Sequence, residues 1–139
     1  MNRLARERDE LRVVADQCGA PTSASSIAEA VAMILARNAS AADLAKDFAA
    51  AQGLVHLANS GSTSWHGFAG AIVEGLKARG QPVKASAVHA ITTKDFPTKA
   101  VRPANSRLDL SRLRQVFGLT TSPWQQALRR ELDILVQRG

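Results

Sequence analysis

The residues of this chain that could do chemistry are placed to hold an anion rather than to break a bond. Asn59-Ser60-Gly61-Ser62-Thr63 runs into Trp65, Phe68, Ile72 and Leu76, which recur at helical spacing. A Gly/Ser/Thr loop feeding a helix N-terminus turns backbone N–H groups outward, where a phosphate can sit; the same pattern also describes an ordinary strand-turn-helix unit with no ligand. Lys94, Lys99, Arg102 and Arg107 form a second group, in and beside a segment, 92–105, that lacks periodicity and carries Pro97 and Pro103. Long irregular loops are a common home of function in compact domains.

The net charge of +6, from 18 Lys+Arg against 12 Asp+Glu, points the same way. Such a balance draws nucleic acid, an acidic membrane surface or a phosphorylated metabolite. Nucleic acid is disfavoured, because Arg3, Arg6, Arg8 and Arg12 alternate with Glu7, Asp9 and Glu10. That is the pattern of a solvated helix face with internal ion pairs, not of a basic stripe. A membrane is disfavoured too, since no apolar run approaches the roughly 18 residues a span needs.

Several chemistries are excluded by what is missing. His56, His66 and His89 form no i, i+4 pair and adjoin no cysteine cluster, so a zinc site is not expected. Cys18 stands among turn residues with no identifiable base, and Ser62 lacks the flanks of a nucleophile elbow. Gly61, Gly67 and Gly70 do not have G-x-G-x-x-G spacing. The chain has no tyrosine, which rules out a tyrosine phenol as general acid. Together with the missing dinucleotide fingerprint, this excludes an independent nicotinamide enzyme. The single cysteine forms no intramolecular disulfide and no charged, apolar leader opens the chain, so a soluble protein of a reducing compartment, the cytoplasm, is expected. Asn38-Ala39-Ser40 matches a glycosylation acceptor but reads as a helix end followed by an N-cap.

These residues need elements to position them, and the pattern supplies a small α/β assembly. Residues 1–10 read as a helix with a thin apolar stripe, Leu4 and Leu11, as though earlier turns were missing. Leu11–Gln17 reads as a strand, broken by the turn residues 18–22. From Ser25 or Ser26 to Ala36 the composition predicts a largely buried helix, and Ser40 caps an Ala-rich one running to about Ala51. Val55, Leu57 and Ala58 predict a strand before the 59–63 loop, and Val83–Ile91 another. Asp109 is expected to cap a helix ended by Gly118; Ser122-Pro123 opens the last, with Trp124, Leu128, Leu132 and Leu135 facing the core. The expected fold is α/β: about three short strands and five to six helices in a single domain, residues 1–139, large enough to bury roughly two-thirds of its unfolded surface.

Six blocks, in order along the chain, resemble one family. They are LARERDEL (4–11), DQCGAPT (16–22), HLANSGSTSW (56–65), FPT (96–98), RPANSRL (102–108) and WQ (124–125). They are similar to the C-terminal part of the dTDP-4-dehydrorhamnose reductases, in the extended short-chain dehydrogenase/reductase group. The resemblance implies the substrate-binding part of a two-domain Rossmann-type oxidoreductase that uses NADPH to reduce dTDP-4-dehydro-L-rhamnose in dTDP-rhamnose and polysaccharide biosynthesis. The cofactor-binding Rossmann domain, with its glycine-rich turn and Tyr/Lys pair, is absent from this sequence, so no catalytic or cofactor-binding residue is expected here and activity alone is not expected. The alternative is a truncated stand-alone module that binds nucleotide-sugars or a protein partner, such as a separately encoded Rossmann domain.

The resemblance also assigns a site. Arg102, Asn105 and Arg107 stand where the family motif concentrates polar contacts, and Arg forks suit a dTDP-sugar diphosphate. Val101 replaces a second basic residue. Thr22, in the Ala20-Pro21-Thr22 turn, is a candidate hydroxyl contact. Some members form a homodimer through magnesium held by first-helix acids, here Asp9 and Glu10, with Ile134 near where a further carboxylate is expected.

Overall fold

A computed structural model describes residues 1–38 and 40–137; Ala39, the middle of the Asn38-Ala39-Ser40 motif, and residues 138–139 of the expected domain lie outside the described residues. The chain begins with α1 (Asn2–Glu7), β1 (Glu10–Val14) and β2 (Cys18–Gly19). Then come α2 (Ala24–Arg37), α3 (Ala41–Ala50), β3 (Thr63–Ser64), α4 (Trp65–Lys77) and β4 (Ala87–Ile91). A 3-10 turn (Thr93–Asp95), α5 (Ser111–Phe117) and α6 (Trp124–Gln137) complete it. Among the described residues no helix is long and apolar enough to cross a membrane.

The strands make two small sheets. β1 and β4 run parallel, with Glu10 opposite Ala87 and Val14 opposite Ile91. β2 and β3 are antiparallel, Cys18 opposite Ser64. Two strands cannot hold a sheet alone; β1 and β4 are stabilised by packing on α4. The first core joins Ala5 of α1, Leu11 of β1, Ile72, Val73 and Leu76 of α4, Ala85 and Leu132 of α6. A second joins Ile34 of α2 and Ala51 to Leu113 and Phe117 of α5 and Leu119.

Helix chemistry follows the sequence closely. The Ser40 hydroxyl accepts from Asp43 N–H at 3.2 Å, and the Asn38 amide closes α2 on the Ile34 carbonyl. Gly118 ends α5 at φ +60, a left-handed position that favours glycine. Caps shift by a residue or more elsewhere. Ser23 rather than Ser25 or Ser26 caps α2, and Ser64 rather than the 59–63 loop caps α4. Asp109 accepts from Ser111 N–H one residue ahead of the helix cap, Leu110.

Four expectations are corrected. Val55–Ala58 is not a strand: its apolar residues find side-chain packing in the second core, but no neighbouring strand among the described residues pairs its backbone. The turn expected at Cys18-Gly19 is instead β2, because the Thr63–Ser64 backbone lies alongside it. The first strand stops at Val14, leaving Asp16 and Gln17 to bond through their side chains, and the fourth begins only at Ala87, because Lys84, Ala85 and Ser86 N–H groups turn to the carbonyls of Ala5 and Asp9. Finally, α2 is not largely buried. Ala30 and Ile34 are, whereas Ile27, Val31, Met33 and Leu35 are exposed, as is Leu135 on α6.

Candidate functional site

Two separate segments converge on Cys18. Its N–H donates to the Ala104 carbonyl at 2.8 Å, its carbonyl accepts from Ser106 N–H at 2.9 Å, and its strand pairs with the residues that open α4. Gly19 permits this approach, since a Cβ there would lie 2.8 Å from the Ser106 hydroxyl. The result is a cavity of about 400 Å³ walled by Pro21, Thr22, Ser64, Phe68 and Ser106. A second cavity, about 670 Å³, lies beside it and carries Arg8, Arg12, Phe96 and Arg102. Gln17 and Trp65 line both, so that the two cavities share a wall and are taken together as a trough.

The shared wall is held firmly on one side. Gln17 Nε2 donates to the Thr93 hydroxyl at 3.0 Å, and that hydroxyl donates to Asp16 Oδ1 at 2.7 Å. The Thr93 backbone N–H and hydroxyl hold the Asp16 carboxyl below its ordinary range, and Thr92 does the same for Asp95. On the other side, Trp65, the first of the helically spaced apolar residues of α4, is 57% exposed.

The expected site residues are divided by this geometry. Thr22 lines the smaller cavity, but its hydroxyl donates to the Ala20 carbonyl at 2.9 Å and accepts from Asn59 N–H at 3.1 Å. Arg102 lines the larger one. Asn105 and Arg107 line neither and bond each other. Asp9 and Glu10 lie beyond the end of α1, not on it, and face Lys84 at 3.1 Å and the His89 imidazole at 3.3 Å respectively. Among the described residues no group of three or more His, Cys, Asp or Glu could hold a metal ion.

Gln17, Trp65, Arg8 and Arg12 are trough residues that the sequence reading did not assign to the site. Gln17 and Trp65 stood inside the blocks already singled out; Arg8 and Arg12 were read as a paired helix face. Asn59 was read as turn chemistry, yet it is 1% exposed and fastens the trough's rear wall. Its Oδ1 accepts from Ser23 N–H, while its Nδ2 donates to the Ser26 hydroxyl and the Ser122 carbonyl.

An uncharged pocket of hydroxyls and aromatic rings beside a pocket edged by guanidinium groups defines the class: an α/β domain with two adjoining cavities of unlike chemistry. The chain belongs to the RmlD substrate binding domain family, which it matches over residues 1–137. It is 41% identical to the dTDP-4-dehydrorhamnose reductase of Sinorhizobium fredii over 100% of this chain and 45% of that protein. With the Escherichia coli K12 enzyme of that name it shares 38% over 97% of this chain and 43% of the other. The crystal structure of a Clostridium acetobutylicum dTDP-4-dehydrorhamnose reductase superposes with a TM-score of 0.75 at 29% identity, covering 96% of this chain and 41% of that one. A Bacillus anthracis reductase, solved with NADP, gives 0.71 at 27% identity over 94% and 40%. The chain thus spans less than half the length of these relatives.

Proposed function

We propose that residues 1–139 act as a single substrate-side domain in the NADPH-dependent reduction of dTDP-4-dehydro-L-rhamnose to dTDP-L-rhamnose. The observation that carries this is the trough itself: two cavities of unlike chemistry joined through Gln17 and Trp65, in a chain whose relatives bear the reductase name. NADPH supplies the hydride when bound, and a Rossmann domain, on the same polypeptide or separately encoded, is the partner that holds it. The residues here bind and orient. Arg102 neutralises diphosphate charge, Arg107 adds a guanidinium whose direction Asn105 sets, and the Ala20–Thr22 turn, fixed by the Thr22 hydroxyl, shapes the sugar end. A cytoplasmic setting goes with a soluble nucleotide-sugar substrate.

The exposed apolar residues Ile27, Val31 and Leu35, one helical turn apart on α2, favour a second, compatible role as a protein-contact face, for the partner domain or for a homodimer.

NMR titration of the chain with dTDP-L-rhamnose, with NADPH and a DNA duplex as controls, tests the reading. Shifts around Thr22 and residues 102–107, with none from NADPH, are expected. Absence of shifts at millimolar dTDP-L-rhamnose, about 4 kcal/mol of affinity, or an equal response to DNA that collapses with salt, refutes it.

A further inference from the structure

The Ala20–Thr22 turn is not held by packing alone. Pro21, Thr22 and Phe68 wall the smaller trough cavity on one side and a further cavity of about 220 Å³, between the turn and α6, on the other. A turn with space on both faces depends on hydrogen bonds for its position. Those bonds lead away from the trough. Thr22 Oγ1 accepts from the Asn59 N–H, Asn59 Oδ1 accepts from the Ser23 N–H at 3.2 Å, and Asn59 Nδ2 donates to the Ser26 hydroxyl at 3.1 Å. The Ser26 hydroxyl lies 2.8 Å from that of Ser23, which lies 2.9 Å from that of Ser25, and Ser25 donates to Glu131 Oε1 on α6. The adjacent Arg130 is turned to Glu29 by two hydrogen bonds, and among the described residues Glu131 has no ion pair.

The direction of every proton in this row follows from its ends. A carboxylate only accepts, so the one Ser25 hydroxyl proton is spent on Glu131. Ser25 must then accept from Ser23, and Ser23, its own proton spent, must accept from Ser26. At the far end the Ser23 N–H fixes which side of the Asn59 amide is oxygen, leaving Nδ2 to donate to Ser26. Both ends dictate the same order, from Asn59 through Ser26, Ser23 and Ser25 to Glu131, and each hydroxyl is polarised by the next. Resting on the reading that the trough takes a dTDP-sugar, we infer that Glu131, outside the trough, is a positioning residue for its sugar end: its carboxylate orients the Ser25, Ser23 and Ser26 hydroxyls, which with Asn59 hold the Ala20–Thr22 turn. Ser23 is where the row grips the turn, being the next residue after Thr22 and the N-cap of α2. Glu131 and the three serines are half-buried, where a hydrogen bond is stronger than in open water.

The test uses the whole chain, first without ligand. The Asn59 Nδ2 signals in a proton–nitrogen NMR correlation spectrum are expected to shift in Ser25→Ala and in Glu131→Leu, which keeps bulk but has no acceptor. Glu131→Gln, whose carbonyl oxygen can still accept from Ser25, is expected to return them toward the wild-type positions. Calorimetric titration with dTDP-L-rhamnose and dTDP then separates the sugar end from the nucleotide. Glu131→Leu and Ser25→Ala are each expected to weaken dTDP-L-rhamnose about fivefold, the value of one ordinary hydrogen bond, and dTDP less than twofold. The double variant is expected to lose no more than either single one, because one break interrupts the row, and Glu131→Gln is expected to recover most of the affinity. Circular dichroism is the folding control, and if Glu131→Leu does not fold, Ser25→Ala carries the same comparison. Unmoved Asn59 signals, undiminished dTDP-L-rhamnose binding or an equal loss for both ligands in a folded variant overturns the role of Glu131 while leaving the substrate reading intact. Failure of the wild type to bind dTDP-L-rhamnose overturns the substrate reading and, with it, any part for Glu131 in sugar recognition.

Discussion

The Oδ1 of Asn105 accepts two hydrogen bonds from Arg107, one from its backbone N–H at 3.1 Å and one from its Nε at 2.9 Å. The carbamoyl oxygen is thereby committed to aiming the guanidinium, whose two terminal nitrogens stay available for an oxyanion. Asn105→Ala is expected to weaken dTDP-L-rhamnose binding about fivefold, the value of one ordinary hydrogen bond, with Tm nearly unchanged. Isothermal titration checks it, and an unaltered Kd would remove Arg107 from the phosphate contacts.

Asn59 is the polar residue on which the trough's rear wall depends. Removing its side chain leaves the half-buried Ser23 N–H without its partner, while the Ser122 carbonyl keeps the Ser60 N–H. Asn59→Ala is expected to cost about 2 kcal/mol, since an orphaned group costs about 1–3 kcal/mol. Urea unfolding reads this directly, and a loss below about 1 kcal/mol contradicts it.

For Thr22 the geometry separates scaffold from contact. The isosteric Thr22→Val deletes the bonds to the Ala20 carbonyl and Asn59 N–H, and is expected to cost about 1–2 kcal/mol of stability while changing dTDP affinity less than twofold. Thr22→Ser should restore stability. Large loss of dTDP-L-rhamnose affinity in a variant of normal Tm would make the hydroxyl a ligand contact after all.

Acid sensitivity follows from Asp16, Asp95 and Asp109. Each carboxylate accepts backbone and hydroxyl hydrogen bonds, from Thr93, Thr92 and Ser111 respectively, which hold its pKa below the ordinary 3.8. A depressed native value means that the stabilisation is complete above the unfolded pKa and is lost as pH falls through the lower native one. Tm is therefore expected to hold steady from neutrality to about pH 4 and to drop below it. Asp16→Asn should lower Tm at pH 7 and flatten the acid limb; an unchanged limb would deny Asp16 a share in it.

Ile27, Val31 and Leu35 lie in the open on α2. The chain is expected to self-associate with rising concentration in sedimentation velocity runs, and Val31→Lys/Leu35→Glu to reduce that association without loss of helicity. A wild type that stays monomeric throughout argues against this stripe as a contact face.

What the sequence made legible was local chemistry. Ser40, Asn38 and Gly118 cap or close helices because a hydroxyl, an amide or a missing Cβ satisfies a backbone need within a few residues. The strand reading failed where pairing decides. Val55–Ala58 has strand composition but, among the described residues, no strand beside it, whereas Cys18-Gly19 has turn composition and becomes a strand because Thr63–Ser64 lies alongside. Burial of α2 was misread for a related reason, since its apolar content says what the helix could bury and not what stands opposite. At the site, Arg102 could be marked by its motif. Arg12 stood outside every block, and alternating charge conceals which guanidinium groups lack partners in space.

The parallel pairing of β1 with β4 has a consequence for how the molecule is born. Asp16 and its partner Thr93, just beyond the paired strands, are 77 positions apart in the chain. A contact of that span forms only after a long loop closes, which slows folding far more than it lowers stability. On the ribosome, at 5–20 residues per second, β1 waits roughly 4–15 s for its neighbour to be made. During that interval Arg12 and its neighbours in β1 are without the β4 backbone that fixes their register.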